Sequence, residues 1–165
     1  MKKLVAFIPV SMLVAACASG EPEPLLISSV TVNTDLAAIQ SREAVEYWQD
    51  LSSDLETAIA AEFAGNIDPT GRPVTVDIDE LTLEETFTAG ASLDTARLSG
   101  VVSLGDVAPD GVPDPTWTVT ATAQDATPYV QEGGTIQVNP TTPAYYDAIV
   151  KAFADGAADT LRSGS

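Results

Sequence analysis

Histidine is absent from this 165-residue chain, and cysteine occurs once. Without histidine there is no Ser-His-Asp or Cys-His arrangement to activate a nucleophile, and no imidazole ligand for a metal. Neither a G-x-S-x-G nucleophile elbow nor a glycine-rich phosphate loop occurs in the sequence. A single cysteine excludes a disulfide within the chain. We therefore expect no catalytic residue, no cofactor and no metal, and a fold that depends on its apolar core.

Basic residues are scarce as well, because 7 lysines and arginines stand against 24 aspartates and glutamates, a net charge of −17 at pH 7. Nucleic acid binding requires clustered Lys and Arg, so the composition excludes a nucleic acid partner. Anionic lipid head groups are disfavoured for the same electrostatic reason. The charge favours basic proteins or divalent cations as partners, although keeping a tethered domain soluble is the favoured explanation.

The lone cysteine, Cys17, stands at the end of a secretory leader. Lys2 and Lys3 precede an apolar stretch at 4–16, which is shorter than the ~20 residues of a membrane-spanning helix. The run Leu13-Val14-Ala15-Ala16-Cys17 resembles the lipobox of bacterial lipoproteins. That resemblance implies cleavage before Cys17 and a lipid anchor on it, of diacylglycerol plus an N-acyl chain. Ordinary signal cleavage near this junction is the alternative, and it would release a soluble domain.

The lipoprotein resemblance divides the chain into three parts. Residues 1–16 are the signal peptide, residues 17–24 are the lipidated cysteine with a short tether rich in Pro and Glu, and residues 25–165 form a single periplasmic domain. No Asp directly follows Cys17. The resemblance therefore implies a lipid-anchored protein of the cell envelope, on the periplasmic face of the outer membrane if the cell is Gram-negative.

The first half of the domain predicts a strand, a long helix and a second strand. Residues 25–32 are rich in β-formers, and residues 36–64 carry apolar side chains at spacings of three and four, typical of one long amphipathic helix. Ser41 is a candidate for a second helix start within this stretch. Residues 74–78 then alternate between apolar and polar. The apolar phase shifts over residues 81–87, which predicts a β-bulge at Asp79-Glu80.

The second half predicts two further strands and a closing helix. Residues 96–104 and 116–123 have strand patterns, while residues 124–138 look irregular apart from a possible short strand at their end. Thr142 is the expected N-cap of the last helix and Pro143 its first residue. This order predicts an α+β two-layer sandwich, with an antiparallel sheet of about four strands, a long N-terminal helix and a C-terminal amphipathic helix.

Two segments of the domain carry a further resemblance. Tyr47-Trp48-Gln49-Asp50-Leu51 is similar to the amphipathic first helix of the auxiliary lipoproteins of ABC-type lipid transporters. The segment 98–106 resembles a strand of the same broad group, in which an Asp ends the strand before a hairpin loop. The order of elements also resembles that of the lipopolysaccharide-assembly lipoprotein. The resemblance implies a non-enzymatic accessory or scaffold subunit, although the negative charge argues against direct lipopolysaccharide binding.

Carboxylates are the remaining candidates for chemistry. Asp77 and Asp79 lie two apart on a predicted strand and therefore on one face, with Glu80, Glu84 and Glu85 after them. Such a face could supply an acid–base pair or bind Ca²⁺. A solvated strand face is the favoured interpretation, because no calcium-loop spacing is present. Turn chemistry likewise explains the aspartates around the Pro/Gly loop, namely Asp106, Asp110 and Asp114.

The large aromatic residues and the threonines provide the remaining signals. Trp48 and Trp117 fall in the apolar phase of their elements, which favours the core over a ligand groove. Tyr145 and Tyr146 are adjacent, so only one of them is expected to face the core, and Tyr145 is the one expected at the surface. Alternate threonines at 116–122 predict a polar strand face, either solvent-facing or at an edge that accepts a strand from a partner.

These observations leave three hypotheses. The chain is a membrane-anchored accessory subunit of a transport or envelope-assembly complex, with a protein partner in the envelope and the membrane bound through lipid on Cys17. Alternatively, it is a free-standing lipoprotein that binds a small ligand or a divalent cation. A hydrolase with paired carboxylates is the third hypothesis, and it is the weakest because nothing places an acid opposite a base.

Overall fold

The computed structural model describes residues 24–87, 95–105, 114–130 and 139–164. The predicted signal peptide, Cys17, nearly all of the tether, Asp106, Asp110 and the short strand expected before residue 139 lie outside them. The strands are β1 (Ile27–Asn33), β2 (Arg72–Ile78), β3 (Arg97–Leu104) and β4 (Thr116–Thr122). The helices are α1 (Arg42–Trp48), α2 (Leu51–Glu62), α3 (Glu80–Glu85), α4 (Ala123–Val130) and α5 (Pro143–Gly164), with a 3-10 helix at Leu36–Ala38.

The four strands form one sheet in the order β1-β2-β3-β4, which confirms the α+β prediction. The sheet is mixed and not antiparallel throughout, because β1 runs parallel to β2. After β1 the chain passes through the helical segment and returns to the start of that strand, where Ile27 donates its N–H to the Asn66 oxygen at 3.0 Å. A helical crossover between β1 and β2 returns the chain to the same end of the sheet, which is the kind of connection that a parallel pair requires.

The long N-terminal helix predicted at residues 36–64 is wrong, because the chain there folds as the 3-10 helix, α1 and α2 in succession. The Ser41 hydroxyl caps α1 by accepting a bond from the Ala44 N–H at 3.3 Å. At the second break the Ser53 hydroxyl donates to the Asp50 carbonyl at 2.9 Å. Ser and Asp side chains compete with the helical backbone for such bonds, so a segment rich in them divides while its apolar spacing stays helical.

The β-bulge predicted at Asp79-Glu80 is also wrong. The strand ends at Ile78, and the Asp79 carboxylate caps α3 by accepting a bond from the Leu81 N–H at 3.1 Å. The shift in the phase of the apolar residues therefore reflects a change from the two-residue period of a strand to the period of a helix. Leu83 is consequently buried, while Leu81 is 66% exposed.

Residues 124–138 were expected to be irregular, yet α4 occupies their first part. Thr122 and Asp125 bond reciprocally at its start. The Thr122 N–H donates to the Asp125 carboxylate at 2.9 Å, and the Asp125 N–H donates to the Thr122 hydroxyl at 3.4 Å. This is a capping box, with Asp in place of the usual Glu or Gln. The Thr-x-x-Asp signal is present in the sequence, although Pro128, a residue type disfavoured in helix interiors, lies within the helix that follows it.

The core lies between the sheet and the helices. Helices α2 and α5 pack against each other, α2 also contacts β1, and α5 contacts β3 and β4. Trp48 is 1% exposed, as predicted for a core residue. The closing helix begins as predicted, since the Thr142 hydroxyl accepts a bond from the Tyr145 N–H at 3.3 Å.

The assignment of the two adjacent tyrosines is inverted, because Tyr145 is buried and Tyr146 only partly so. Helix α5 lies against β3, β4, α2 and α4, and its buried arc is therefore wider than one amphipathic stripe. Burial raises the pKa of Tyr145 to about 12. Its hydroxyl has no hydrogen-bond partner among the described residues.

Candidate functional site

One face of the sheet is left uncovered by the helices that the structure describes. From Val30 onward in β1, and along β2 and β3, even-numbered residues point into the core, as do the odd-numbered residues of β4, so the opposite parity points outward. Ile27, which precedes a shift of register in β1, is also buried. We call this outer surface the open face. It consists of Thr31, Asn33, Thr75, Asp77, Ser99, Val101, Ser103, Thr116, Thr118 and Thr120.

Strand register places the open-face residues in rows that cross the sheet. Asp77 lies opposite Val101, which lies opposite Thr118 on β4. Hydroxyl groups dominate the neighbouring rows, and the Ser99 and Thr120 hydroxyls bond to each other at 2.9 Å. The predicted threonine face of β4 is thus one margin of a wider polar surface that three other strands complete.

The open face is nearly uncharged, although the chain carries 24 acidic and 7 basic residues. Asp77 is the acidic residue among its members. The guanidinium of Arg97, at the end of β3, is held by Glu85 at 2.7 Å. Near the middle lies Val101, an aliphatic side chain that is 43% exposed. Centres of protein interfaces are depleted of charged residues. The open face resembles such centres in its low charge, whereas the rest of the protein surface is acidic.

A depression of about 380 Å³ lies within the open face. Gly100 allows β2 and β3 to approach each other closely there, since a Cβ at this position would stand 2.8 Å from the Asp77 main-chain oxygen. The lining residues are Asp77, Ile78, Asp79, Ser99, Gly100, Val101 and Thr118.

The depression brings Asp77 and Asp79 together, but not as the predicted pair on one strand face. Asp79 follows the strand, donates its N–H to the Ser99 oxygen at 2.9 Å and uses its carboxylate to cap α3. Of the glutamates predicted beside them, Glu80 accepts a bond from the Asp35 N–H at 2.6 Å and Glu85 pairs with Arg97.

The carboxylates of Asp79, Glu80 and Glu85 therefore serve the fold, and among these three nothing places an acid opposite a base. Among the described residues, no three carboxylates converge where they could share a cation. Asp114 is exposed and lies two residues before the start of β4.

The two edges of the sheet differ. On β1, the Val32 N–H donates to the Glu56 carboxylate of α2 at 3.0 Å, so a side chain covers that edge. On β4, the Leu104 N–H donates to the main-chain oxygen of Pro115 at 3.2 Å, and this bond shows which pairs of residues on β3 and β4 are hydrogen-bonded to each other. Because bonded and non-bonded pairs alternate, Thr116, Thr118 and Thr120 direct their backbone N–H and C=O groups away from β3. No described strand pairs with this outer edge.

A second depression, of about 360 Å³, lies beside β4 on its helical side. We call it the edge groove, and it is lined by Trp117, Asp159, Thr160, Ser163 and Gly164. Trp117 packs against the core but is only partly buried, so the prediction of a core tryptophan holds in part. The last turn of α5 approaches it closely, because a Cβ at Gly164 would stand 2.3 Å from the indole ring.

The aromatic residues on the helical side form a structural cluster. The Tyr47 ring centroid lies 4.7 Å from that of Trp48 and 5.5 Å from that of Tyr146. The Tyr47 hydroxyl donates to the main-chain oxygen of Thr142 at 2.8 Å, and the Tyr146 hydroxyl donates to the Asp54 carboxylate at 2.6 Å. Burial raises the pKa of both tyrosines well above its usual value, so they remain neutral at physiological pH. They join α5 to α1 and α2.

A small charged cluster joins α2, α4 and α5 at the surface. The Lys151 ammonium contacts Glu62 at 2.5 Å and Asp155 at 2.6 Å, and the Tyr129 hydroxyl donates to Asp155. Hydrogen bonds to Asp155 and Glu62 raise the pKa of Lys151. Burial opposes ionisation of Asp155, yet the bonds from Lys151 and Tyr129 lower its pKa overall. Each group has a partner within the fold, and the cluster needs no ligand to be satisfied.

Comparisons of the chain with protein-family models, with curated proteins and with solved structures found no significant match in any of the three. Among the helices that the structure describes, none has the length and apolar character needed to cross a bilayer.

Sequence reasoning found one margin of the open face, the threonines of β4, and missed the rest. Thr75, Ser99 and Ser103 looked like the ordinary polar halves of amphipathic strands. A usable signal existed, because the outward positions of β3 and β4 contain no acidic residue in a chain where acidic residues are abundant.

Proposed function

We propose that this protein is a non-enzymatic docking subunit of a cell-envelope complex, anchored in the membrane by lipid on Cys17. The observation that carries the proposal is the nearly uncharged open face on a chain of net charge −17. A face built only for solubility would share the acidic character of the rest of the surface. A face that a protein partner covers avoids charge, because burying an unpaired carboxylate is costly.

The electrostatics of the chain restrict the partner and its direction of approach. Acidic surface elsewhere repels other acidic molecules, so the open face is where a neutral or basic protein can make close contact. Its hydroxyl groups can exchange hydrogen bonds with water for bonds with a partner. Val101 supplies an apolar contact near the centre. Nucleic acid and anionic head groups remain disfavoured as partners.

The short tether is consistent with docking close to a membrane. Residues 18–24 separate the expected lipid on Cys17 from the domain. At ~3 Å per residue for an extended Pro-rich chain, this segment reaches ~20–25 Å. The open face would therefore meet a partner whose exposed part lies near the bilayer surface.

In-cell cross-linking tests the proposal, with adducts identified by mass spectrometry. The wild-type chain is compared with Val101→Glu, which places a charge near the centre of the open face, and with Ala61→Glu, a matched control on the exposed side of α2. We expect a discrete partner with the wild type and the control, and at least a fivefold smaller yield with Val101→Glu. Recovery of monomer alone, or equal yields from all three, would contradict the proposal.

The anchor is tested separately with Cys17→Ala. Metabolic labelling with a fatty acid should mark the wild type and not this variant, and the partner adduct should fall when the protein no longer fractionates with membranes. Incorporation of label into the variant would show that lipid is not attached at Cys17.

A further inference from the structure

We propose that the partner adds an extended segment to β4 as a fifth strand and places an Arg or Lys side chain in the edge groove, against Trp117 and Asp159. This inference rests on the proposed function and specifies its partner. Two independent features support it. One is the backbone of β4, which is directed outward along a margin that no described strand occupies. The other is the groove directly beside that strand.

Among the residues that the structure describes, the outer edge of β4 lacks the devices that usually prevent strand addition. Its sequence, Thr-Trp-Thr-Val-Thr-Ala-Thr, contains neither a charged residue nor a proline. Its register with β3 runs from Thr116 to Thr122 without a bulge. Natural proteins protect exposed edges with charges, prolines, bulges or covering elements. The opposite edge has such protection, since Glu56 covers Val32.

Sheet geometry places the edge groove under the next strand. Val76, Val102 and Trp117 lie opposite one another in a row that crosses the sheet and faces the helices. Neighbouring strands lie ~4.8 Å apart, so the next residue in this row would stand beside Trp117, below the C-terminal turns of α5. Asp159 and Ser163 line the groove at that place. A side chain from an added strand would therefore enter it without any rearrangement of the sheet.

The lining of the groove selects a basic side chain. The Asp159 side chain is 81% exposed, and its ion pair with Arg162 is long, at 3.4 Å. An Arg or Lys stem can pack on the Trp117 indole while its cationic head reaches the Asp159 carboxylate. The net charge of −17 attracts such a residue and repels an acidic one. A second copy of this chain would bring the same negative charge and an uncharged β4, so it fits the edge less well.

A peptide titration tests the inference on the mature lipidated protein in detergent. The probe is a fluorescent nine-residue peptide of alternating Thr and Val with one central Arg, and its fluorescence anisotropy reports binding. Matched peptides carry Glu in place of Arg, or N-methyl groups on alternate residues that remove backbone donors. We expect the Arg peptide to bind, the Glu peptide to bind at least tenfold more weakly, and the N-methylated peptide not to bind. Equal binding of all three would overturn the inference.

Two protein variants locate the binding site. In Thr118→Pro an outward N–H is lost while the pairing with β3 is kept, because edge positions tolerate proline. Circular dichroism verifies its fold, and we expect no peptide binding. Asp159→Asn should weaken binding of the Arg peptide about threefold to tenfold, since an exposed ion pair contributes less than a tenfold change. Asp147→Asn, also exposed on α5, is the control and should bind like the wild type. Wild-type affinity in Thr118→Pro, or equal losses in both aspartate variants, would contradict strand addition.

The same variants separate this inference from the proposed function. Loss of the in-cell adduct with Val101→Glu, but not with Thr118→Pro, would mean that a partner covers the open face without adding a strand. An adduct of doubled mass that joins two copies through β4 would replace the basic partner with a second copy, and would overturn the inference. Loss of the adduct in both Thr118→Pro and Asp159→Asn would support it.

Discussion

Trp48 donates its indole N–H to the main-chain oxygen of Leu83 at 3.2 Å, inside the core. This bond joins α1 to α3, two helices that the amino-acid pattern did not separate from their surroundings. It also satisfies a carbonyl group that has no access to water. The relationship explains why a tryptophan, and not another large apolar residue, suits this position.

Replacing Trp48 with phenylalanine should therefore destabilise the domain by about 1–3 kcal/mol, because the Leu83 carbonyl loses its donor while the ring volume shrinks. Urea unfolding followed by far-ultraviolet circular dichroism measures the change. Trp117→Phe is the control and should cost less, since Trp117 is only partly buried. Equal costs for the two replacements would mean that the indole bond is not a distinguishing contribution.

Stability should fall as the pH rises above about 10. Burial raises the pKa of Tyr47, Tyr145 and Tyr146 in the folded state. A group with a raised folded pKa stabilises the fold fully below its unfolded pKa, near 10 for tyrosine, and loses that contribution at higher pH. Urea midpoints between pH 8 and 11.5 measure the effect. Tyr146→Phe should make the decline shallower, and midpoints that stay constant from pH 9 to 11 would contradict this prediction.

Two glycines should respond to alanine with opposite signs. At Gly71 an added Cβ would stand 2.6 Å from the backbone of Ile27, so Gly71→Ala should cost about 1–3 kcal/mol. At Gly156, within α5, the nearest atom would be a Val119 methyl at 3.5 Å, which is ordinary contact. Gly156→Ala should stabilise by about 0.5–1 kcal/mol, because alanine is the better helix former. Denaturant midpoints of both variants test the pair, and a gain at Gly71 would contradict the close packing described above.

The stabilisation that the capping box at the start of α4 gives to the fold should depend on pH. The hydroxyl and then the backbone N–H of Thr122 bond to Asp125 and lower the pKa of its carboxyl. A lowered folded pKa gives stabilisation above the unfolded value near 3.8 that disappears as the pH falls through the folded value. Asp125→Asn should therefore cost about 0.5–1 kcal/mol at pH 7, and this cost should shrink as the pH falls below 3.8. Asp147→Asn serves as the control, and a cost for Asp125→Asn that does not change with pH would argue against the assignment.

The strands were predictable because each has one polar face that is exposed to solvent and one apolar face that is buried. Residues 116–123 were expected to form a strand, and β4 occupies Thr116–Thr122. The closing helix was found from its cap and its apolar spacing. Such patterns are local, so they survive without knowledge of which element covers which.

The sequence interpretation failed where hydrogen bonds compete within a few residues. Serines and aspartates divided the long helix, and the Asp79 cap converted an expected bulge into a helix. The adjacent tyrosines were inverted for another reason, since the width of the buried arc on α5 depends on how many elements surround it. None of these outcomes can be read from spacing alone.

Composition alone determined the acidic character of the chain and the absence of histidine chemistry, and local alternation determined the strands. Which strands are neighbours was decided only in the folded structure, because contacts between distant segments set the register. Asp77, Val101 and Thr118 lie far apart in the sequence and meet in one row of the sheet. The open face and the edge groove exist through such long-range pairing, which no single segment of the sequence specifies.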